Sequence, residues 1–145
     1  MRLKTIEVMA ENNIPVSVNV APIIPGLNDK EIPNILKESS KRGAESAGYI
    51  MLRLPYAVKD LFIEWIEREF SEKASKVVNS IRSIRNGKLN SSEFGKRFRG
   101  EGELADTVRN LFHISCRKYG LNRRHFNLTT EHFKSSFPKQ LQLFG

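Results

Sequence analysis

Apolar positions along the chain switch between helical and strand spacing, and the switches lay out an α-β-α-β-α order. Leu3, Ile6, Met9 and Ala10 share one helix face and predict an opening helix. The β-branched run from Ile14 to Val20 continues through Ala21, Pro22, Ile23 and Ile24 to Pro25-Gly26, and predicts a strand buried on both faces, as in a parallel sheet. Asn28 followed by Glu31 has capping-box spacing, and Ile32, Ile35 and Leu36 then supply an apolar stripe that Gly43 ends. Pro33 within that stretch implies a separate short turn ahead of the helix. Residues 47–54 (AGYIMLRL) predict a second strand closed by Pro55, and Val58, Leu61, Phe62, Trp65, Ile66 and Phe70 line the face of the helix after it.

From Ser71 the character changes. Ala74, Val77, Val78, Ile81 and Ile84 mark a helix ending at Gly87, and no strand signal follows. A loop, SSEFGKRFRGEGE, leads to a helix carrying Leu104, Val108, Leu111, Phe112 and Cys116 on one face, with Gly120 as its stop. Two parallel strands do not make a stable sheet alone, since a buried strand needs neighbours on both sides. The expected fold class is therefore α/β: the last two β-α units of a barrel, followed by a helical C-terminal extension, with Met1 an internal start or one side of a split chain. A self-contained small α/β domain is the alternative. The segments expected are 1–70 for the barrel part, 71–120 for a basic helical extension and 121–145 for an irregular tail.

Composition narrows the class. A chain of 145 residues suits one domain, and a single cysteine, Cys116, excludes an internal disulfide. No apolar run reaches the length of a membrane span and no signal-peptide core opens the chain, which makes the cytoplasm the expected location. Charge is divided unevenly: residues 1–70 carry net −1 and residues 71–145 net +9. A basic half of this kind suggests an anionic partner, with nucleic acid first among them.

In parallel α/β architecture ligands lie at the carboxyl ends of strands, here Pro22 to Asp29 and Leu52 to Pro55. Gly26 permits close backbone approach, Ile23 or Ile24 offers an apolar surface for a flat ring, and Arg53 is the one charge in an apolar strand end. The plainer alternative is a Pro-Gly turn with Arg53 paired to a carboxylate. In the loop, Phe94, Lys96, Arg97, Phe98 and Arg99 interleave rings and cations, a pattern suited to phosphate contact and base stacking. Arg82, Arg85, Arg123 and Arg124 would extend that surface; otherwise the rings are core and the cations solvated. His113 and Cys116, one helical turn apart, could share a metal with His125 or His132, but Cys116 continues an apolar face and is better read as packed.

The stretch RLKTIEVMAENNIPVSVNVAPIIPGLND, the strand GYIMLRLP, the helix KDLFIEW and the loop GKRFRGEG resemble the C-terminal half of radical S-adenosylmethionine (SAM) proteins related to spore photoproduct lyase. That resemblance covers nearly the whole chain and implies a partial (β/α)6 TIM-like barrel, in which a [4Fe-4S] cluster is held by a CxxxCxxC loop. No such loop occurs here, so the cluster would belong to a missing N-terminal half and this chain alone is expected to be inactive. The resemblance carries the family's GxIxGxxE pattern onto Pro22, Ile24, Gly26 and Asp29. Ile24 and Gly26 match, while Pro22 replaces the first glycine and Asp29 the glutamate. It implies that Pro22, Ile23, Ile24 and Gly26, flanked by Leu52, Arg53 and Leu54, contact the adenine of SAM, with hydrogen abstraction by the adenosyl radical as the chemistry of the complete enzyme.

The ending Gln140-Leu141-Gln142-Leu143-Phe144 resembles the QLxLF peptide by which bacterial repair and replication proteins dock on the sliding clamp. Gln140, Leu141, Leu143 and Phe144 would be its contacts; the alternative is that these apolar residues pack back on the domain. Two functions follow as expectations. One is a SAM-contacting portion of a radical SAM enzyme, with a place in DNA repair. The other is a non-catalytic module that grips nucleic acid through Lys96, Arg97, Phe98 and Arg99 and is tethered to the clamp.

Overall fold

A computed structural model of the chain describes residues 2–123, 129–131 and 133. Its elements are α1 (Arg2–Glu11), β1 (Ser17–Ile23), a 3-10 turn (Asp29–Glu31), α2 (Ile32–Lys41), β2 (Ser46–Met51), α3 (Val58–Glu69), α4 (Ser71–Ser83) and α5 (Glu103–Tyr119). The α/β class is as expected. The turn before α2 also appears, with Pro33 in the helix's first turn where its missing amide hydrogen costs nothing. Acidic Glu103 and Asp106 open α5 and basic Arg117 and Lys118 close it, which suits the helix dipole, and Gly120 ends it in the left-handed conformation at φ 74°.

β1 and β2 pair in parallel as a two-stranded sheet, Ser17 opposite Ser46 and Ile23 opposite Met51, with an irregularity between Val20 and Ile23. Only Val20 and Ile23 of β1 are buried, while Ser17, Asn19, Ala21 and Pro22 are exposed. This corrects the expectation of burial on both faces. Among the described residues one face of the strand packs on helices and nothing covers the other.

Two apolar clusters hold the fold. The first joins Val20, Ile23 and Met51 of the strands to Ile32 and Leu36 of α2 and to Val108, Phe112 and Cys116 of α5. The second gathers Ile24, Leu52 and Leu54, just past the strands, under Phe62 and Ile66 of α3 and Ala74, Val77 and Ile81 of α4. The helix packed beside α2 behind the sheet is thus α5, and not α3, which the order of a second β-α unit anticipates. α3 and α4 instead form a pair over the strand ends. Val58 and Leu61, expected in the core, are 47% and 65% exposed, because α3 packs on one narrow stripe. The first core draws on both sides of residue 70, so packing runs across the boundary read from the sequence. Among the described residues no helix is long and apolar enough to cross a membrane.

Candidate functional site at the strand ends

The two strands finish side by side, with the Leu52 amide donating to the Ile23 carbonyl at 2.8 Å. Beyond β1 the chain reverses at Pro25-Gly26, where Gly26 takes φ 79°. Two polar side chains hold this turn. Asn28 accepts from the Ile24 amide at 2.7 Å and donates to the Pro22 carbonyl at 3.1 Å, while Asp29 accepts from the Gly26 amide at 3.1 Å. Asn28 therefore bonds backward to the strand and makes no side-chain cap for the turn that follows, which corrects the capping-box expectation.

The seven residues singled out for cofactor contact separate on this geometry. Ile23, Ile24, Leu52 and Leu54 are all buried, Ile23 in the sheet core and the other three beneath α3 and α4. The apolar surface anticipated from Ile23 or Ile24 is committed to packing. Pro22 and Gly26 are exposed, and Arg53 is half-buried. Arg53 meets no carboxylate among the described residues, so the ion pair of the plainer alternative does not form there; its guanidinium lies 5.1 Å from the centre of the Phe98 ring.

That contact brings the basic loop to the end of β2. The Met51 amide donates to the Phe98 carbonyl at 2.8 Å, and Arg85 ties the same two segments by donating to the Leu52 carbonyl at 2.8 Å and the Arg97 carbonyl at 2.9 Å. Arg85 is 3% exposed, which corrects its assignment to an open basic surface. Burial, with Arg53 beside it, pulls its guanidinium below the ordinary arginine value. Arg97 stacks within 4.7 Å of Phe98 and 5.4 Å of Phe94.

The remaining cations do not join this cluster. Lys96 pairs with Glu93 at 2.9 Å and Glu101 at 3.1 Å, hydrogen bonds that push its ammonium up, so its charge is answered within the loop. Arg99 lines a cavity of about 270 Å³ with Tyr49, Arg109, His113 and Asn122, while Arg82 and Arg123 border separate hollows. Phe94 and Phe98 are 87% and 36% exposed, so neither is a core residue. Arg124, His125, His132 and the peptide Gln140, Leu141, Leu143 and Phe144 lie outside the described residues. Cys116 is buried, and burial pushes its thiol up to about 11.

Two asparagines set the edges of the sheet, and sequence reasoning passed over the first of them. Asn122, at φ 60° just past Gly120, accepts from the Ala47 amide at 2.8 Å and donates to the Ala47 carbonyl at 3.0 Å, taking the place of a neighbouring strand. Asn28 does the same only at the tip of β1. Elsewhere on β1 the alternation of a parallel ladder turns the backbone of Ser17 and Asn19 away from β2, and no described strand meets it. A groove of about 400 Å³ runs beside this edge, between Leu3 and Ile6 of α1, Val18 and Val20 of β1, and Ile35 and Glu38 of α2. No family model, curated protein or solved structure matches the chain.

Proposed function

We propose that this chain supplies the closing β-α units of a cytoplasmic radical SAM barrel of the spore photoproduct lyase-related kind, on the adenine side of the site. The observation that carries the reading is the inequality of the two sheet edges. Among the described residues β2 is finished by side chain and loop, whereas β1 presents an unpaired edge with an apolar groove beside it, the arrangement a further β-α unit fills.

The residues present do not fit the iron-sulfur cluster. Cys116 is single and buried, and the described residues hold no group of three metal-ligating side chains. The cluster loop therefore belongs to another segment or chain in this reading. The adenine side fits in part: Pro22 offers an exposed ring and Gly26 an exposed backbone fixed by Asp29, while Ile24 supports the turn from below. Bound on its cluster, SAM supplies hydrogen abstraction by an adenosyl radical. This chain's own part is to hold the ring and keep the strand ends in register.

Purifying the native protein without oxygen from its source, through a tag on this chain, tests the proposal by iron and sulfide content. Under this reading iron and sulfide co-purify with a polypeptide carrying CxxxCxxC, and iron-free native protein contradicts it. The second reading, a nucleic-acid module tethered to the sliding clamp, draws support from the arginine cluster around Phe98. Deleting residues 140–145 abolishes clamp capture under that reading, and unchanged capture removes the tether.

A further inference from the structure

We infer that Arg53 and Arg97, tied together by buried Arg85, build a binding site for a phosphate group at the carboxyl end of β2, with the Phe94 and Phe98 rings beside it to receive the body that carries the phosphate. Arg53 and Arg97, from two chain segments, both lie against the Phe98 ring, at 5.1 and 4.7 Å from its centre. Arg53 follows β2 and Arg97 belongs to the loop, and Arg85, which follows α4, ties the two backbones together through the Leu52 and Arg97 carbonyls. Each of the three keeps a buried Nε–H with no acceptor among the described residues. None has a carboxylate partner among the described residues, and the two nearest acids in the loop, Glu93 and Glu101, are both held by Lys96. The rest of the sequence cannot supply one from a side chain, because residues 124–128, 132 and 134–145 contain no Asp or Glu.

Arg85 is buried and Arg53 and Arg97 are half-buried, and positive charge withdrawn from water without a counter-charge is costly unless a ligand completes it. The chemistry of the set points to phosphate. A planar carboxylate matches the fork of one arginine and neutralises one charge, whereas a tetrahedral phosphate ester carries more charge and offers oxygens in several directions to arginines arriving from different segments. Phe98 lies within reach of both Arg53 and Arg97, and Phe94 is almost wholly exposed, so an aromatic base attached to the phosphate has a ring to stack on. Two sources share this chemistry: a free nucleotide, and the backbone of a single-stranded oligonucleotide.

The test is calorimetric titration of the full chain with inorganic phosphate, AMP, adenosine and oligothymidylate. Phosphate and AMP are expected to bind and adenosine not to. Arg53→Gln and Arg97→Gln should each weaken AMP at least about tenfold, the loss of one charged hydrogen-bonding partner, whereas Lys37→Gln on α2 should leave it unchanged. Tighter binding of oligothymidylate than of AMP, with a steep salt dependence, assigns the site to nucleic acid; equal or weaker binding assigns it to a free nucleotide. Should a variant fold poorly, thermal unfolding of the unaltered protein decides, because phosphate should raise its midpoint and chloride at equal ionic strength should not. Absence of binding by every phosphate probe, or equal affinity in Arg53→Gln and Arg97→Gln, overturns the site. The site stands apart from the barrel reading, since SAM contains adenosine and no phosphate; adenosine binding indifferent to phosphate would favour that reading and count against this one.

Discussion

The two edges of the sheet are built differently. Along β2, Asn122 copies the hydrogen bonds of a strand at Ala47, and the Phe98 carbonyl takes the Met51 amide, so the edge is closed at both ends by parts of the chain lying 47 or more residues further on. Along β1, Asn28 closes the tip and Ser17 and Asn19 remain turned outward beside an apolar groove, with no partner strand among the described residues. A finished edge and an unfinished one in the same small sheet show that the fold is directional: it terminates pairing past β2 and leaves it available at β1.

That contrast can be broken from the closed side first. Arg85→Met removes the donors that fasten the loop to β2 and leaves the Leu52 and Arg97 carbonyls without them, which should cost about 2–4 kcal/mol in urea unfolding. Asn122→Ala strips the Ala47 amide and carbonyl of their partners and should cost about 1–2 kcal/mol, turning a closed edge into an open one. Asn28→Ala should cost about 1 kcal/mol, less because the turn keeps the Asp29 bond to the Gly26 amide.

Cys116 reports on the same edge, since the Asn122 side chain reaches to 3.7 Å from its sulfur. With its thiol at about 11, alkylation at pH 8 should run with a thiolate fraction of about one in a thousand, and Asn122→Ala should speed it. The sign of the pH effect follows. A thiol raised from 9.0 to about 11 contributes fully below 9 and loses its contribution as pH climbs through 11, so the alkaline fall in stability should be shallower in Cys116→Ala.

Much of the fold was legible because local signals and packing agreed. The stripes Ile32/Leu36, Ala74/Val77/Ile81 and Val108/Phe112/Cys116 face the cores as their spacing implied, and Gly120 ends α5 as a left-handed glycine. The misreadings come from what spacing leaves open. The β-branched run of β1 predicts burial on both faces, although Ser17 and Asn19 mark one side as polar, and that side is exposed. Periodicity gave α3 a face but not a place: α3 pairs with α4 over the strand ends, and α5 sits beside α2. At the candidate sites, Arg53, Arg97 and Phe98 were legible as chemistry, but the role of Arg85 was not. An arginine one position past an apolar stripe reads as solvated, and only the meeting of the loop with β2 buries it. Asn122 gave a weak signal, following a helix-stopping glycine, and what it does depends on a contact with residue 47.

Native-state amide exchange on the isolated chain tests the central claim most directly. The account predicts that Ala47 and Met51 exchange slowly and together, near the rate of global unfolding, while Ser17 and Asn19 exchange faster by orders of magnitude. Equal protection on the two strands would show that β1 is already paired, and would contradict an edge left open for a further strand.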